Sequence, residues 1–296
     1  MPTKIEKDAV TGKLTTGHEW DGIKELDTPS PAWWLYTLYA TIAWGLVWVI
    51  LYPAIPWFGG ATRGLTGWVA REAITEEMAA ASAAHAPMLE RIRGVPITAL
   101  LDDATLRDYA LAGGRVAFAN NCQPCHGAGG QGAPGGYPVL ADDEWLWGGT
   151  LADIEQTIRH GIRSEDDDDT RRGQMPRFVA DGMLTWPQAG DVAEYVLSLS
   201  GRSTDTAAAD RGAPIFAEQC VACHGEKGEG SREQGAPNLA DQVWLYGGDR
   251  RSIVTSIAYA RGGVMPAFQG RLDAATIKML AVYVHTLGGG EPAAGR

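Results

Sequence analysis

With 296 residues the chain is long enough for about two domains, and its 45% hydrophobic content is ordinary for a globular protein. A formal net charge of −11 at pH 7 argues against nucleic acid as a partner and favours basic ones.

Residues 1–30 read as a polar N-terminal arm with Lys4, Lys7, Lys13 and Lys24. No charged residue lies between Asp27 and Arg63, and Trp33 to Trp57 is an apolar run of 25 residues. At ~1.5 Å per residue such a run covers ~37 Å, enough to cross a ~30 Å hydrocarbon core with some tilt. Trp33, Trp34 and Tyr36 crowd one end and Tyr52 and Trp57 the other, the aromatic-belt pattern of a spanning helix. Pro53 and Pro56 are expected to end it. The run starts too late and is too long for the apolar part of a secretion signal. Residues 31–57 are therefore read as an uncleaved anchor that crosses a lipid bilayer once. A linker, 58–102, follows; Ala70 to Ala86 is Ala-rich and expected to be helical until Pro87 breaks it.

Beyond the linker the chain repeats itself. Cys122-Gln-Pro-Cys125-His126 recurs as Cys220-Val-Ala-Cys223-His224, 98 residues later. Tyr137–Gly149 recurs at Ala236–Gly248, offset by 99, and Met175-Pro176 recurs at Met265-Pro266, offset by 90. The first copy thus holds about nine extra residues, supplied by Ser164–Arg172 with its run Asp166–Asp169. Each copy reads as a small all-α unit, 103–201 and 202–296. Asp103, Thr150, Thr185, Asp249 and Asp273 are placed to cap helices. The last helix of each copy is expected from Thr185 to near Ser200 and from Ala274 to Leu287.

Cys-x-x-Cys-His is the attachment motif of c-type haem: two thiols for the two vinyl groups and an imidazole next to them for the iron. Two copies use every cysteine in the chain, so two covalently bound haem c groups are expected and no structural disulfide. A four-thiolate zinc site would not need a His after each pair. His126 and His224 are the proximal iron ligands by motif. Met175 and Met265 are the candidate sixth ligands, since a neutral thioether favours reduced iron and suits electron transfer. Spacing alone pairs each Met with the His of its own copy. The carbonyls of Pro138 and Pro237 could hold the two imidazole N–H groups. Tyr137, Trp145, Trp147, Trp186, Trp244 and Tyr246 are expected around the porphyrins or at a domain interface. His18, His85, His160 and His285 are read as ordinary surface or core residues. The run Asp166–Asp169 is read as a solvated loop or as a patch that steers a basic donor. In bacteria c-type haem is attached outside the cytoplasmic membrane. That places the haem domains in the periplasm and the arm in the cytoplasm; the positive-inside bias of the flanks is weak.

Thr15 to Leu26 (TTGHEWDGIKEL), Pro31-Ala-Trp-Trp34 and Tyr52-Pro53, together with the duplicated haem motifs, carry a family resemblance. The chain resembles the membrane-anchored di-haem subunit III (CcoP/FixP) of cbb3-type cytochrome c oxidases, over nearly its whole length. The resemblance implies an all-α protein with one N-terminal transmembrane helix and two tandem class I-like cytochrome c domains in the periplasm of a bacterial inner membrane. It implies electron transfer, not catalysis by this subunit itself. Electrons would come from a donor cytochrome c and pass to a mono-haem cytochrome c subunit and on to the haem–copper subunit that reduces oxygen and pumps protons. It also implies exchanged sixth ligands: Met265 on the iron of His126 and Met175 on the iron of His224. The rival readings are an anchored di-haem cytochrome of another redox complex, a di-haem peroxidase, and a haem-based sensor.

Overall fold

A computed structural model describes residues 4–292; the two ends of the expected arm and second domain, 1–3 and 293–296, lie outside the described residues. Residues 1–84 and 85–296 form two compact units.

In the first unit the arm is an antiparallel hairpin, β1 (Thr15–Trp20) and β2 (Ile23–Leu26). Its turn is Asp21-Gly22, both residues with positive φ (50° and 86°). That is the two-residue D-G turn whose twist matches the flanking strands. Helix α1 (Ala32–Leu51) follows, 20 residues long with none buried, and stops earlier than the apolar run. The stop is Pro53, which forces the preceding Tyr52 into an extended conformation (φ −120°, ψ 158°). The freed carbonyls are not left bare: Leu65 N–H donates to Ile50 O (2.9 Å) and the Thr66 hydroxyl to Leu51 O (2.7 Å). A small hairpin, β3 (Pro56–Trp57) and β4 (Gly60–Ala61), completes the segment.

Helix α2 (Ala70–Gly94) corrects the expected break at Pro87 and runs through it. Its last turns are anchored in a core, with Ile92 fully buried and Met88 and Leu89 packed beside it. Apolar burial there offsets the one lost hydrogen bond of the proline.

The second unit holds α3 (Ala104–Asn121), α4 (Gln123–His126), α5 (Leu151–His160), α6 (Trp186–Leu199), α7 (Thr206–Gln219), α8 (Val221–His224), α9 (Arg250–Tyr259) and α10 (Ala274–His285). The expected caps are in place: Asp103, Thr150, Asp249 and Asp273 each accept from a backbone N–H of the first turn, and Thr185 forms a reciprocal capping box with Gln188.

The packing does not follow the division at 201/202. One core joins α3 and α5 of the first copy to Phe268 and α10 of the second; the other joins Phe178 and α6 of the first copy to α7 and α9 of the second. The last helix of each copy has changed places. The two crossings are alike. Phe118 meets Tyr283 at 5.3 Å between ring centroids, and Phe216 meets Tyr195 at 4.9 Å. A glycine on each motif helix permits the close approach: a Cβ on Gly114 would run into the Met279 carbonyl, and one on Gly212 into the Asp191 carbonyl. Gly114→Ala should therefore push α10 off α3 and destabilise the first core by about 1–3 kcal/mol, read as a lowered denaturant midpoint for the spectrum of the haem attached there. An unchanged midpoint would show that the crossing is looser than described. The second core also contains a buried Glu194, which pairs with Arg250 (3.0 Å) and accepts from the Ser203 hydroxyl (2.7 Å) and Thr204 N–H (3.2 Å). A carboxylate can remain there because its lone pairs are met.

Candidate functional site

Each Cys-x-x-Cys-His motif is one helical turn at the end of a motif helix. Cys122 N–H donates to Phe118 O (2.8 Å) and His126 N–H to Cys122 O (2.9 Å); Cys220 donates to Phe216 O and His224 to Cys220 O, both at 2.9 Å. The turn thus carries both sulfurs and the imidazole together, as attachment to one planar group requires. The chain then folds back over the histidine, with Gly132 N–H on His126 O and Gly230 N–H on His224 O, both 2.8 Å. That return brings the expected prolines into place. Nδ1 of His126 lies 3.2 Å from Pro138 O, and Nδ1 of His224 lies 3.0 Å from Pro237 O. A carbonyl only accepts, so each Nδ1 carries the proton and each Nε2 keeps its lone pair for a metal. Burial pushes both imidazole pKa values down, against a smaller upward pull from the proline carbonyl. The neutral, ligating form is the one this environment favours.

All four cysteines, both histidines and both Met175 and Met265 line one cavity of about 1230 Å³. Its size exceeds the ~300–1,000 Å³ common for a single small ligand. Met265 packs against the core that contains α3, and Met175 against the core that contains α7. The structure therefore packs each methionine in the core that contains the other copy's motif helix. Tyr137, Trp145, Trp147, Trp244 and Tyr246 line the cavity as expected, whereas Trp186 does not; it stands edge-on to Tyr259 at 5.9 Å.

The donor set fits haem c and fits its rivals poorly. A redox dithiol needs a depressed thiol pKa; burial instead pushes Cys122 and Cys220 each up to about 11. The four cysteines do not gather as zinc ligands would: among the described residues, three metal-donor side chains converge at His160, Asp167 and Asp169. Trp244 Nε1 is a buried donor without a partner in the cavity wall; behind it, Nη2 of Arg202 is likewise without a partner, its guanidinium over the Trp244 ring at 5.4 Å. A free indole donor in that wall suits a carboxylate-bearing apolar group like haem. Trp244 is among the residues the sequence places around the porphyrins or at a domain interface; no sequence signal marks Arg202.

The remaining histidines are occupied elsewhere. His85 Nδ1 meets the Tyr109 hydroxyl (2.7 Å), His285 Nε2 meets Glu291 O (2.9 Å) and His18 is exposed on β1. His160 Nδ1 lies 3.2 Å from both oxygens of Asp167. That contact corrects the reading of Asp166–Asp169 as wholly solvated: Asp166, Asp168 and Asp169 are exposed, but Asp167 is buried.

Three family models match the chain: the N-terminal domain of cytochrome oxidase-cbb3, FixP, over residues 12–59; cytochrome c over 111–200; and cytochrome c oxidase, cbb3-type, subunit III, over 207–284. Among curated relatives, the cbb3-type cytochrome c oxidase subunit CcoP of Azospirillum brasilense is 52% identical, over 97% of this chain and 99% of its own. The CcoP subunit of Cereibacter sphaeroides is 50% identical over 98% and 100%. The FixP subunit of Azorhizobium caulinodans is 51% identical over 96% of each.

Proposed function

Because the chain belongs to the CcoP/FixP family, subunit III of cbb3-type cytochrome c oxidases, we propose that it takes electrons from a donor cytochrome c and delivers them, through two covalent haem c groups, to the mono-haem and haem–copper subunits of that oxidase. It is an electron-transfer subunit of an oxidoreductase complex, with two haem c groups, anchored to the membrane by α1 and partnered by other oxidase subunits. The finer points are our reading: the haem units face the periplasm of a bacterial inner membrane, residues 31–57 are the anchor and 58–102 the linker.

The observation that carries this reading is the convergence of both motifs and both methionines on a single cavity. Cys122 and Cys125 would tether one haem, with His126 and Met265 on its iron; Cys220 and Cys223 would tether the other, with His224 and Met175. When bound, haem supplies a one-electron couple whose potential a thioether ligand raises. The chain's own residues supply the rest. Pro138 and Pro237 fix the imidazole rings, and the apolar walls with Trp145 and Trp244 exclude water. The crossed pairing is supported by the exchanged helices, since the loop that bears each methionine leads directly into the helix packed on the other motif.

The test is purification in mild detergent from a host competent for haem attachment. The denatured chain should carry the mass of two haems and should co-purify with a haem–copper oxidase that consumes oxygen. A bare polypeptide mass would remove the haem reading; two haems without the oxidase would favour another redox complex.

A further inference from the structure

The nine-residue insertion in the first copy has no place in the function described so far. Its sequence suggests a solvated acidic loop, yet Ser164, Asp167 and Thr170 are all buried. The loop is closed on itself: Ser164 N–H donates to the Thr170 hydroxyl (3.0 Å), Asp169 N–H to Asp167 Oδ1 (2.9 Å) and Arg163 N–H to Arg171 O (2.8 Å). It then reaches across to the segment that carries Met265. Ile162 and Met265 exchange both backbone hydrogen bonds at 2.9 Å, and Arg163 Nε donates to Gly263 O (2.7 Å). Ala267 N–H donates to Ser164 Oγ (3.2 Å), and Gln269 Nε2 donates to Asp167 Oδ2 (2.6 Å). The His160 imidazole holds the same Asp167 carboxylate from the other side.

We infer that residues 162–170 form a brace that locks the Met265 loop, with Ser164 and Asp167 as positioning residues for its thioether. The inference rests on the reading of Met265 as an iron ligand. Residues on both sides of Met265 are tied to the brace, so the loop cannot swing the sulfur away without breaking buried hydrogen bonds. The second copy has no corresponding insertion. Around Met175 the ties are Phe178 N–H to Ile257 O (3.1 Å), Ala180 N–H to Ala258 O (3.2 Å) and Arg163 Nη1 to Gly173 O (2.7 Å), with no buried side-chain acceptor among them. The insertion therefore makes two otherwise similar sites unequal: the Met265 loop is tied to it on both sides of the methionine, whereas the Met175 loop is held by the end of α9 and by a single contact from Arg163.

The experiment uses the full chain in its detergent-purified complex, with imidazole as the probe. Imidazole displaces a methionine from oxidised haem and abolishes the methionine-to-iron charge-transfer band. Asp167→Ala should strengthen imidazole binding at the His126 haem about tenfold, the equilibrium equivalent of losing one buried hydrogen bond to a charged group. Ser164→Ala should act in the same direction and Asp167→Asn, which keeps an acceptor for Gln269, should restore most of the wild-type affinity. Asp168→Ala, on the exposed side, should change nothing, and the His224 haem should stay unaltered throughout. A general loss of stability would move both haems, so selectivity for one separates positioning from folding. If Asp167→Ala fails to fold, Ser164→Ala decides alone. Met265→Ala is the control for the ligand reading: if it leaves the His126 band intact, that reading fails whatever the brace does. If it abolishes the band while Ser164→Ala and Asp167→Ala leave imidazole affinity within twofold, the brace is overturned and the ligand reading stands.

Discussion

A chain that ends after Gly262 should lose the folded, methionine-ligated site around the His126 haem and keep the one around the His224 haem. Along the sequence this is the wrong way round, since the deletion removes the end of the second copy. In the folded protein the deleted segment contains Met265, Phe268 and α10, and all three belong to the core around the first motif. Helix α10 buries Ile277, Met279, Leu280, Val282 and Val284 there, with Ala275 and Ala281 between them. At about 1.5–3 kcal/mol for each large side chain, their burial is worth about 7–15 kcal/mol. That matches the ~5–15 kcal/mol by which a whole domain is usually stable, so the first core should not survive the loss. The second core draws on Phe178, α6, α7 and α9, all upstream of the cut. The outcome can be read by limited proteolysis of the truncated chain followed by mass measurement of the haem-bearing fragments. Digestion of the fragment bearing the His224 haem with protection of the one bearing the His126 haem would show that the helices are not exchanged.

Single substitutions at the two methionines should also report on the opposite copy. Met175→Ala should open the His224 haem to exogenous ligands and lower its potential, and Met265→Ala should do the same at His126. Axial ligation commands a range of about 0.8 V among haem proteins, and loss of a thioether that favours reduced iron should shift the potential by at least about 0.1 V within that range. Electron flow to the oxidase should fall with it, because a low-potential haem in series becomes a barrier to reduction. Redox titration of each variant, with the haems distinguished by their ligand-binding spectra, decides the matter. A shift confined to the haem of the same copy would sink the crossed pairing even if the truncation behaves as expected.

The two experiments probe one architecture by different means. The first asks which core the C-terminal helix completes, and the second asks which iron the loop before it serves. Agreement between them is expected because Pro266 to Asp273 is a short connection; a methionine that enters one core and a helix that packs in the other would have to be joined across the cavity. The brace on Met265 adds a further tie at the same place, through Ser164 and Asp167.

Much of this protein is written locally. The anchor follows from an uncharged apolar run with aromatic ends, and its true end from Pro53 acting on Tyr52. Five helix starts follow from the residues at their caps, because a side-chain oxygen two or three positions before a free N–H needs no tertiary partner. The hairpin turn at Asp21-Gly22 is equally local, a two-residue D-G signal between short strands. The haem motifs are legible because attachment needs both thiols and the imidazole on one turn of chain. Even the partners of the two histidine rings, Pro138 and Pro237, could be named in advance, since the loop back from each motif is short.

What the sequence alone could not decide is which copy of each repeated element meets which. The two last helices offer similar apolar faces, and the two motif helices offer similar glycine notches at Gly114 and Gly212; pairing within a copy and pairing between copies satisfy the same local rules. The choice lies in contacts between residues about a hundred positions apart, such as Ala267 with Ser164 and Gln269 with Asp167. The same contacts bury one aspartate out of a run that composition marks as solvated. Local chemistry thus pointed to two haem sites and to the two Cys-x-x-Cys-His motifs; only the tertiary fold settled how the two halves are interlaced, because equivalent surfaces become distinguishable only when the whole chain is packed.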